Sequence, residues 1–248
     1  MRKIIVAIGG GENGRLLEDG SFASYDTEKI DEEIVKLTNK ANPNYLFICH
    51  AMYPHKNIEK SYYETMKKIY QDKLNCNCDI LYADDLINKN IVDEKLKWAD
   101  IIYEGGGNTK TLIDLWKKTE FDKKLYNEWN NGKVICGISA GAICWFKYGN
   151  TDSNGNEFTS IECLNWFNYH LTPHCNESDR MESTKLQLKE NNIIGIMLSN
   201  GCAIEIIDNQ FKIIKENQNS KAFKAYWKKE KYYEEELNYL DMTNLNVI

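Results

Sequence analysis

The pentapeptide Gly137-Ile138-Ser139-Ala140-Gly141 sets one serine between two glycines, directly after the apolar run Val134-Ile135-Cys136. A serine hydroxyl is a poor nucleophile unless it is exposed beside a base and an anion-stabilising pocket. A G-x-S-x-G turn joining a strand to a helix meets the first need. Its glycines permit a tight turn, and the serine is left at the strand's carboxyl end. The spacing predicts a strand before Ser139 and a helix over Ala140 to Phe146 behind it. The Ala140 amide would then point its dipole at a developing oxyanion.

A second glycine cluster, Gly105-Gly106-Gly107-Asn108, follows the apolar run Ile101 to Tyr103. In a parallel sheet it falls on the same carboxyl-end rim as Ser139. Backbone N–H groups at Gly106 and Gly107 would supply the other oxyanion donor. The base must be a histidine, and there are four: His50, His55, His170 and His174. Pro173 fixes the backbone immediately before His174, which favours that residue. His50 and His170 are expected to be structural or to face a substrate.

Taken in order, Gly105-Gly106-Gly107-Asn108-Thr109, Gly137-Ile138-Ser139-Ala140-Gly141-Ala142 and Pro173-His174 resemble peptidase family S51, which includes α-aspartyl dipeptidase and cyanophycinase. The resemblance runs from the first strand through Arg180. It implies a class I glutamine amidotransferase-like, flavodoxin-like α/β fold, with serine replacing that superfamily's cysteine nucleophile. It also implies that Ser139 is the nucleophile and His174 the general base. A carboxylate would orient the imidazole, with Asp152 the nearest counterpart and Glu162 and Glu177 as rivals. Arg180 aligns with the dipeptidase arginine that receives an acidic side chain, and Asn108 joins it as a substrate-binding residue. A planar guanidinium can bind a carboxylate through two parallel hydrogen bonds. The alternative is an ordinary ion pair of Arg180 with Glu177 or Glu182. Ile138 stands where the dipeptidase branch has tryptophan, the stretch after His174 is shorter, and Ala142-Ile143-Cys144-Trp145-Phe146 differs. Strict aspartyl specificity therefore does not follow.

Apolar β-branched runs that alternate with helical patterns must position these groups. Strands are expected at Ile4 to Ile8, Tyr45 to Cys49, Asp79 to Tyr82, Ile101 to Tyr103 and Val134 to Cys136. Helices are expected near residues 27–40, 58–74, 93–98, 110–118 and 122–130. This alternation predicts a mostly parallel sheet with helices on both faces. After Asn192 the pattern changes to short antiparallel strands, with Asp208-Asn209 a hairpin turn. No linker-like stretch interrupts residues 1–248, so one domain is expected. Gly9, Gly11 and Gly14 formally satisfy G-x-G-x-x-G. Residues 15–25 separate them from the next helix, which argues for a glycine loop and against a dinucleotide site.

The 248 residues carry a net charge of −6, and no dense basic stretch suggests nucleic acid. No segment has the length and apolarity of a membrane span. The apolar start is too short for a signal-peptide core, so a cytoplasmic location is expected. The eight cysteines are then expected to be reduced and mostly buried. Cys76-Asn77-Cys78 lacks a second pair or a nearby histidine, so no metal or other cofactor is expected. The expected partner is a small peptide substrate, and a homodimer is left open. Two other readings compete: cysteine-dependent amidotransferase-type chemistry through Cys136 or Cys144, and a catalytically silent small-molecule binding protein on the same fold.

Overall fold

In the computed structural model, which describes residues 1–155 and 157–248, β1 (Ile4–Ile8) runs through the middle of an eight-stranded sheet. Its alternate residues enter different cores. Ile5 and Ala7 join one apolar cluster, whereas Ile4, Val6 and Ile8 join the other. Burial on both faces explains why this strand is continuously apolar instead of alternating.

After α1 (Glu28–Leu37), the chain forms β2 (Asn44–Ile48), α2 (Lys56–Lys67), β3 (Asn77–Leu81), α3 (Lys89–Trp98) and β4 (Ile101–Glu104). Next come α4 (Thr109–Thr119), α5 (Phe121–Asn130) and β5 (Val134–Ile138). The parallel strands lie in the order β1-β5-β4-β2-β3. Helices α1 and α2 send Ile30, Ile34, Tyr63 and Met66 onto one face. The other face takes Val92 and Leu96 from α3, Leu112 and Trp116 from α4, and Leu125 from α5. The 58–74 helix is α2 followed by a looser π-type turn over Lys68–Lys73.

The helix expected over Ala140 to Phe146 is only one turn, α6 (Ala140–Ile143), and the chain then starts β6 (Phe146–Thr151). The reason is aromatic packing. Trp145 is buried between Trp116 at 5.6 Å and Trp166 at 4.9 Å, in the turn that ends the helix and leads into the strand. β6 opens a second, six-stranded sheet with β7 (Thr159–Glu162) and β8 (Phe167–Thr172). Helix α7 (Ser178–Asn191) and β9 (Gly195–Leu198) follow.

The antiparallel C-terminal strands divide between the two sheets. β10 (Cys202–Ile207), β11 (Gln210–Lys215) and the short β14 (Thr243–Asn244) extend the large sheet beyond β1. β12 (Ala222–Lys228) and β13 (Lys231–Glu236) extend the small one beyond β9. One cluster runs from Ile5 and Ile135 in the large sheet to Phe167, Leu171 and Ile196 in the small one, which fixes the sheets against each other.

Residues 11–25 also differ from a plain glycine loop. They form a small hairpin, with bridges Asn13–Tyr25 and Leu16–Phe22. Its base is tied down where the Tyr25 hydroxyl donates to Asp31 at 3.0 Å.

Candidate active site

Ser139 leaves the end of β5 with φ 56° and ψ −112°, in the left-handed half of backbone space. A non-glycine residue held there is strained, and surrounding contacts must impose the geometry. Its N–H donates to the Ile8 carbonyl at 3.0 Å, and its carbonyl accepts from Ala142 and Ile143. The flanking glycines are required by close approach. A Cβ on Gly137 would lie 2.4 Å from the Gly141 carbonyl oxygen, and one on Gly141 2.3 Å from that of Glu104.

His174 follows β8 and also adopts positive φ, at 48°. Its N–H donates to the Gly9 carbonyl at 2.9 Å, which ties it to the end of β1. The ring Nε2 lies 2.9 Å from Ser139 Oγ, so the two side chains meet. A silent binding protein would have no need of that contact. On the other side, Nδ1 lies 2.7 Å from Oδ1 of Asn200, in the turn between β9 and β10. An amide oxygen only accepts, so Nδ1 carries the proton and Nε2 is free to take one from the serine. Burial holds the His174 pKa below its ordinary value; the Asn200 bond opposes this, and the Arg180 charge reinforces it.

The side chain at His174 Nδ1 is therefore that of Asn200, where Asp152 was expected. Asp152 is exposed on the turn after β6 and makes no hydrogen bond with His174. Glu162 lies exposed on β7, and Glu177 precedes α7, where it pairs with Arg180 at 3.0 Å. Asp152 and Glu177 act on His174 only through space. Their sequence positions satisfy the spacing, but the turn that places Asn200 brings its amide to Nδ1 first. No pattern around residue 200 singles it out, since Asn is common in turns.

The Gly9-Gly10-Gly11 run also has a role here that its formal fingerprint obscured. A Cβ on Gly10 would lie 2.3 Å from both the His174 ring and Asn200 Oδ1, and the residue has φ +154°. Only glycine lets the backbone pass this close.

The Gly105 to Asn108 segment lies on the same rim. A Cβ on Gly106 would be 3.5 Å from that of Ser139. The Gly106 N–H makes a long, 3.4 Å bond to the Tyr62 hydroxyl. The Gly107 N–H has no partner among the described residues, and Ala140, as first residue of α6, has none within its helix. Both amides are left as donors on the rim that carries the elbow. Asn108 is spent on structure: its Oδ1 caps α4 at the Thr111 N–H (2.8 Å) and its Nδ2 donates to the Ser153 carbonyl (3.3 Å).

Arg180 is 7% exposed, and most of its guanidinium is engaged internally. Nε donates to Glu177, Nη1 donates to the Asn150 side chain at 3.1 Å, and the Phe158 ring stacks 4.1 Å from the guanidinium carbon. The ordinary ion-pair alternative is thus what the structure contains.

The other histidines are structural or remote. His50 is fully buried, accepts from the Trp116 indole at 2.9 Å and donates to the Leu81 carbonyl at 2.9 Å; burial lowers its pKa to about 4. His170 is buried against Gln187, also with a pKa of about 4. His55 precedes α2 on the surface. Cys136 and Cys144 are fully buried, which pushes both thiols well above the usual range, and neither occupies the elbow. Among the described residues no three His, Cys, Asp or Glu side chains cluster as a metal site.

A mostly parallel sheet with helices on both faces and a serine elbow on its carboxyl rim is the architecture of the class I glutamine amidotransferase-like fold. Two solved structures share it: a peptidase from an acI-B1 Actinobacterium and a putative peptidase E protein from Listeria monocytogenes EGD-e. The first has TM-score 0.71 at 18% identity and covers 98% of this chain and 97% of its own. The second has TM-score 0.62 at 20% identity, covering 87% and 99%. The sequence model of peptidase family S51 matches residues 19–214, and the chain belongs to that family. A Bacillus subtilis (strain 168) protein described as uncharacterized peptidase YgaJ is 31% identical over 227 residues, 90% of this chain and 92% of that one.

Proposed function

We propose that this protein is a serine peptidase that hydrolyses an amide bond in short peptides through Ser139, His174 and Asn200. The observation that carries the reading is the 2.9 Å contact between Ser139 Oγ and His174 Nε2 at a strained elbow. As Oγ attacks the substrate carbonyl carbon, its proton passes to Nε2. The carbonyl oxygen becomes an oxyanion that accepts from the Gly107 and Ala140 N–H groups. The imidazolium then protonates the leaving amine. A water molecule then attacks the acyl-enzyme carbonyl, giving a proton to Nε2; the acyl–Oγ bond breaks, Oγ takes that proton back, and the acid product leaves. Asn200 holds the ring and its tautomer throughout, in the manner of a Cys-His-Asn arrangement.

An acidic residue near the scissile bond and a cytoplasmic location belong to the same proposal. Among the described residues no helix is long and apolar enough to cross a membrane, and the eight cysteines are free. Ser139→Ala should abolish peptide turnover and labelling by a fluorophosphonate probe while melting at the wild-type temperature. Turnover at the wild-type rate in that variant would overturn the assignment.

A further inference from the structure

β4 ends on a carboxyl that the reaction leaves without a role. Glu104 pairs with Ile48 of β2 and Gly137 of β5, at the foot of the elbow. Strand alternation sends its side chain to the same face as Ile102, beneath α6, and the residue is fully buried. No cation pairs with it among the described residues. Burial pushes its pKa well above the usual carboxylate range, so the group is held as the neutral acid. Even a neutral carboxyl is unfavourable to bury unless its hydrogen bonds are made, and Oε2 has no partner among the described residues. An apolar side chain would be easier to bury here, so the contacts that Glu104 does make must account for it.

Those contacts reach both sides of the elbow. On one side, Oε1 accepts from the Ala51 N–H at 3.1 Å, in the short 3-10 turn His50–Met52. The Ala51 carbonyl in turn accepts from the Asn108 N–H at 2.9 Å. The same carbonyl lies against Gly107, where an added Cβ would be 2.6 Å from its oxygen. On the other side, a Cβ on Gly141 would lie 2.9 Å from Glu104 Cγ, so the stem passes directly against the turn that carries Ser139 and Ala140. The rim needs such support. Three successive glycines have little conformational preference of their own, and Gly107 is held at φ +149°. The Gly106 bond to Tyr62 is long, at 3.4 Å. The firm ties are Gly105 N–H to the Ile48 carbonyl at 2.9 Å and Asn108 N–H to that of Ala51.

We propose that Glu104 is a positioning residue for the oxyanion hole, holding the Gly107 N–H in line through Ala51 and Asn108. The inference rests on the peptidase reading for its chemistry and on the chain Glu104–Ala51–Asn108 for its geometry. The carboxyl touches no reacting atom. What it supplies is an acceptor at the right reach from β4.

Reach and acidity separate by substitution. Glu104→Gln keeps an acceptor oxygen at the same distance, Glu104→Asp keeps the acid on a shorter stem, and Glu104→Leu keeps only bulk. Removing an oxyanion donor outright costs about a hundredfold or more in kcat, and a misaimed donor loses part of that. In the Asp and Leu variants kcat should therefore fall about tenfold or more with KM within about twofold of wild type, and Gln should restore kcat. Affinity for a peptide boronic acid, whose adduct with Ser139 puts an oxygen in the hole, should weaken in parallel. Should the Leu variant not fold, Asp carries the same test. Wild-type kcat in Glu104→Asp overturns the proposal, and so does a Gln variant as slow as Asp.

A second measurement needs no turnover. Hydrogen exchange of the Asn108 amide, read by NMR, should quicken about tenfold or more in Glu104→Asp and keep the wild-type rate in Glu104→Gln. Equal exchange in all three proteins removes the positioning role. Failure of the peptidase reading would instead appear as no wild-type turnover and no probe labelling, with the exchange result unaffected.

Discussion

Asn200 Oδ1 lies 2.7 Å from His174 Nδ1, so a neutral amide occupies the place where a carboxylate was expected. An amide fixes the ring and its tautomer but adds no negative charge to stabilise the imidazolium. Asn200→Ala should therefore lower kcat/KM by about tenfold to a hundredfold, the loss of one orienting hydrogen bond. Steady-state kinetics with labelling of Ser139 as a folding control would check this. A loss below twofold would remove the orienting role.

The pH profile should carry the same signature. Burial and Arg180 depress the His174 pKa, while the Asn200 bond, Glu177 and Asp152 oppose them without reversing the shift. The base stays neutral to lower pH than an ordinary histidine, so the acid limb of kcat/KM should fall below about 6.5. Asn200→Asp puts a negative charge on Nδ1–H and should move that limb up by at least about one pH unit. An acid limb that does not move would show that another group controls it.

Gly10→Ala should disable the site without touching a reacting atom. Its new methyl would overlap the His174 ring and the Asn200 amide. Displacing the base by about 1 Å costs roughly a hundredfold in rate. The expected result is a loss of at least that size in kcat, with far-UV circular dichroism unchanged.

Arg180→Ala should act on stability. The guanidinium holds Glu177, Asn150 and the face of Phe158, so its removal breaks a half-buried pair and opens a gap beneath α7. A loss of about 2 kcal/mol is expected, since Glu177 is partly solvated. Urea unfolding measures it. A variant of unchanged stability that loses only acidic substrates would return Arg180 to the role of carboxylate receptor.

Asp31 makes the hairpin's anchor pH-dependent. Burial raises its carboxyl pKa to about 6, against the hydrogen bonds from Tyr70, Thr27 and Tyr25. A raised carboxyl stabilises the fold below its unfolded pKa, near 3.8, and loses that contribution as pH rises through 6. Relative to Asp31→Asn, wild type should lose about 2 kcal/mol of stability between pH 4 and pH 7. Denaturation across that range reads the difference, and a constant difference would contradict the shift.

Much of the positioning frame was legible before any coordinates. Continuous apolar runs such as Ile4 to Ile8 mark strands covered on both sides, because each alternate side chain must find a core. The helix behind Ser139 is shorter than its local pattern implies because that pattern cannot see Trp116 and Trp166, which pack on Trp145 in the turn that ends it. The hairpin over residues 11–25 was hidden for a related reason. Its pairing is short and irregular, and it is held mainly by the contact of Tyr25 with Asp31.

What the sequence by itself determined is the chemistry encoded in contiguous residues. Ser139 between its glycines, the Gly105 to Gly107 rim and Pro173-His174 are local patterns, because a tight turn is a property of neighbouring backbone. The tertiary structure decided which side chains answer them from a distance. Asn200, 26 positions beyond His174, reaches its ring only because β9 and β8 pair side by side. Arg180 is turned inward by Asn150 and Phe158. Such meetings depend on strand order and helix packing, which no short stretch of sequence contains.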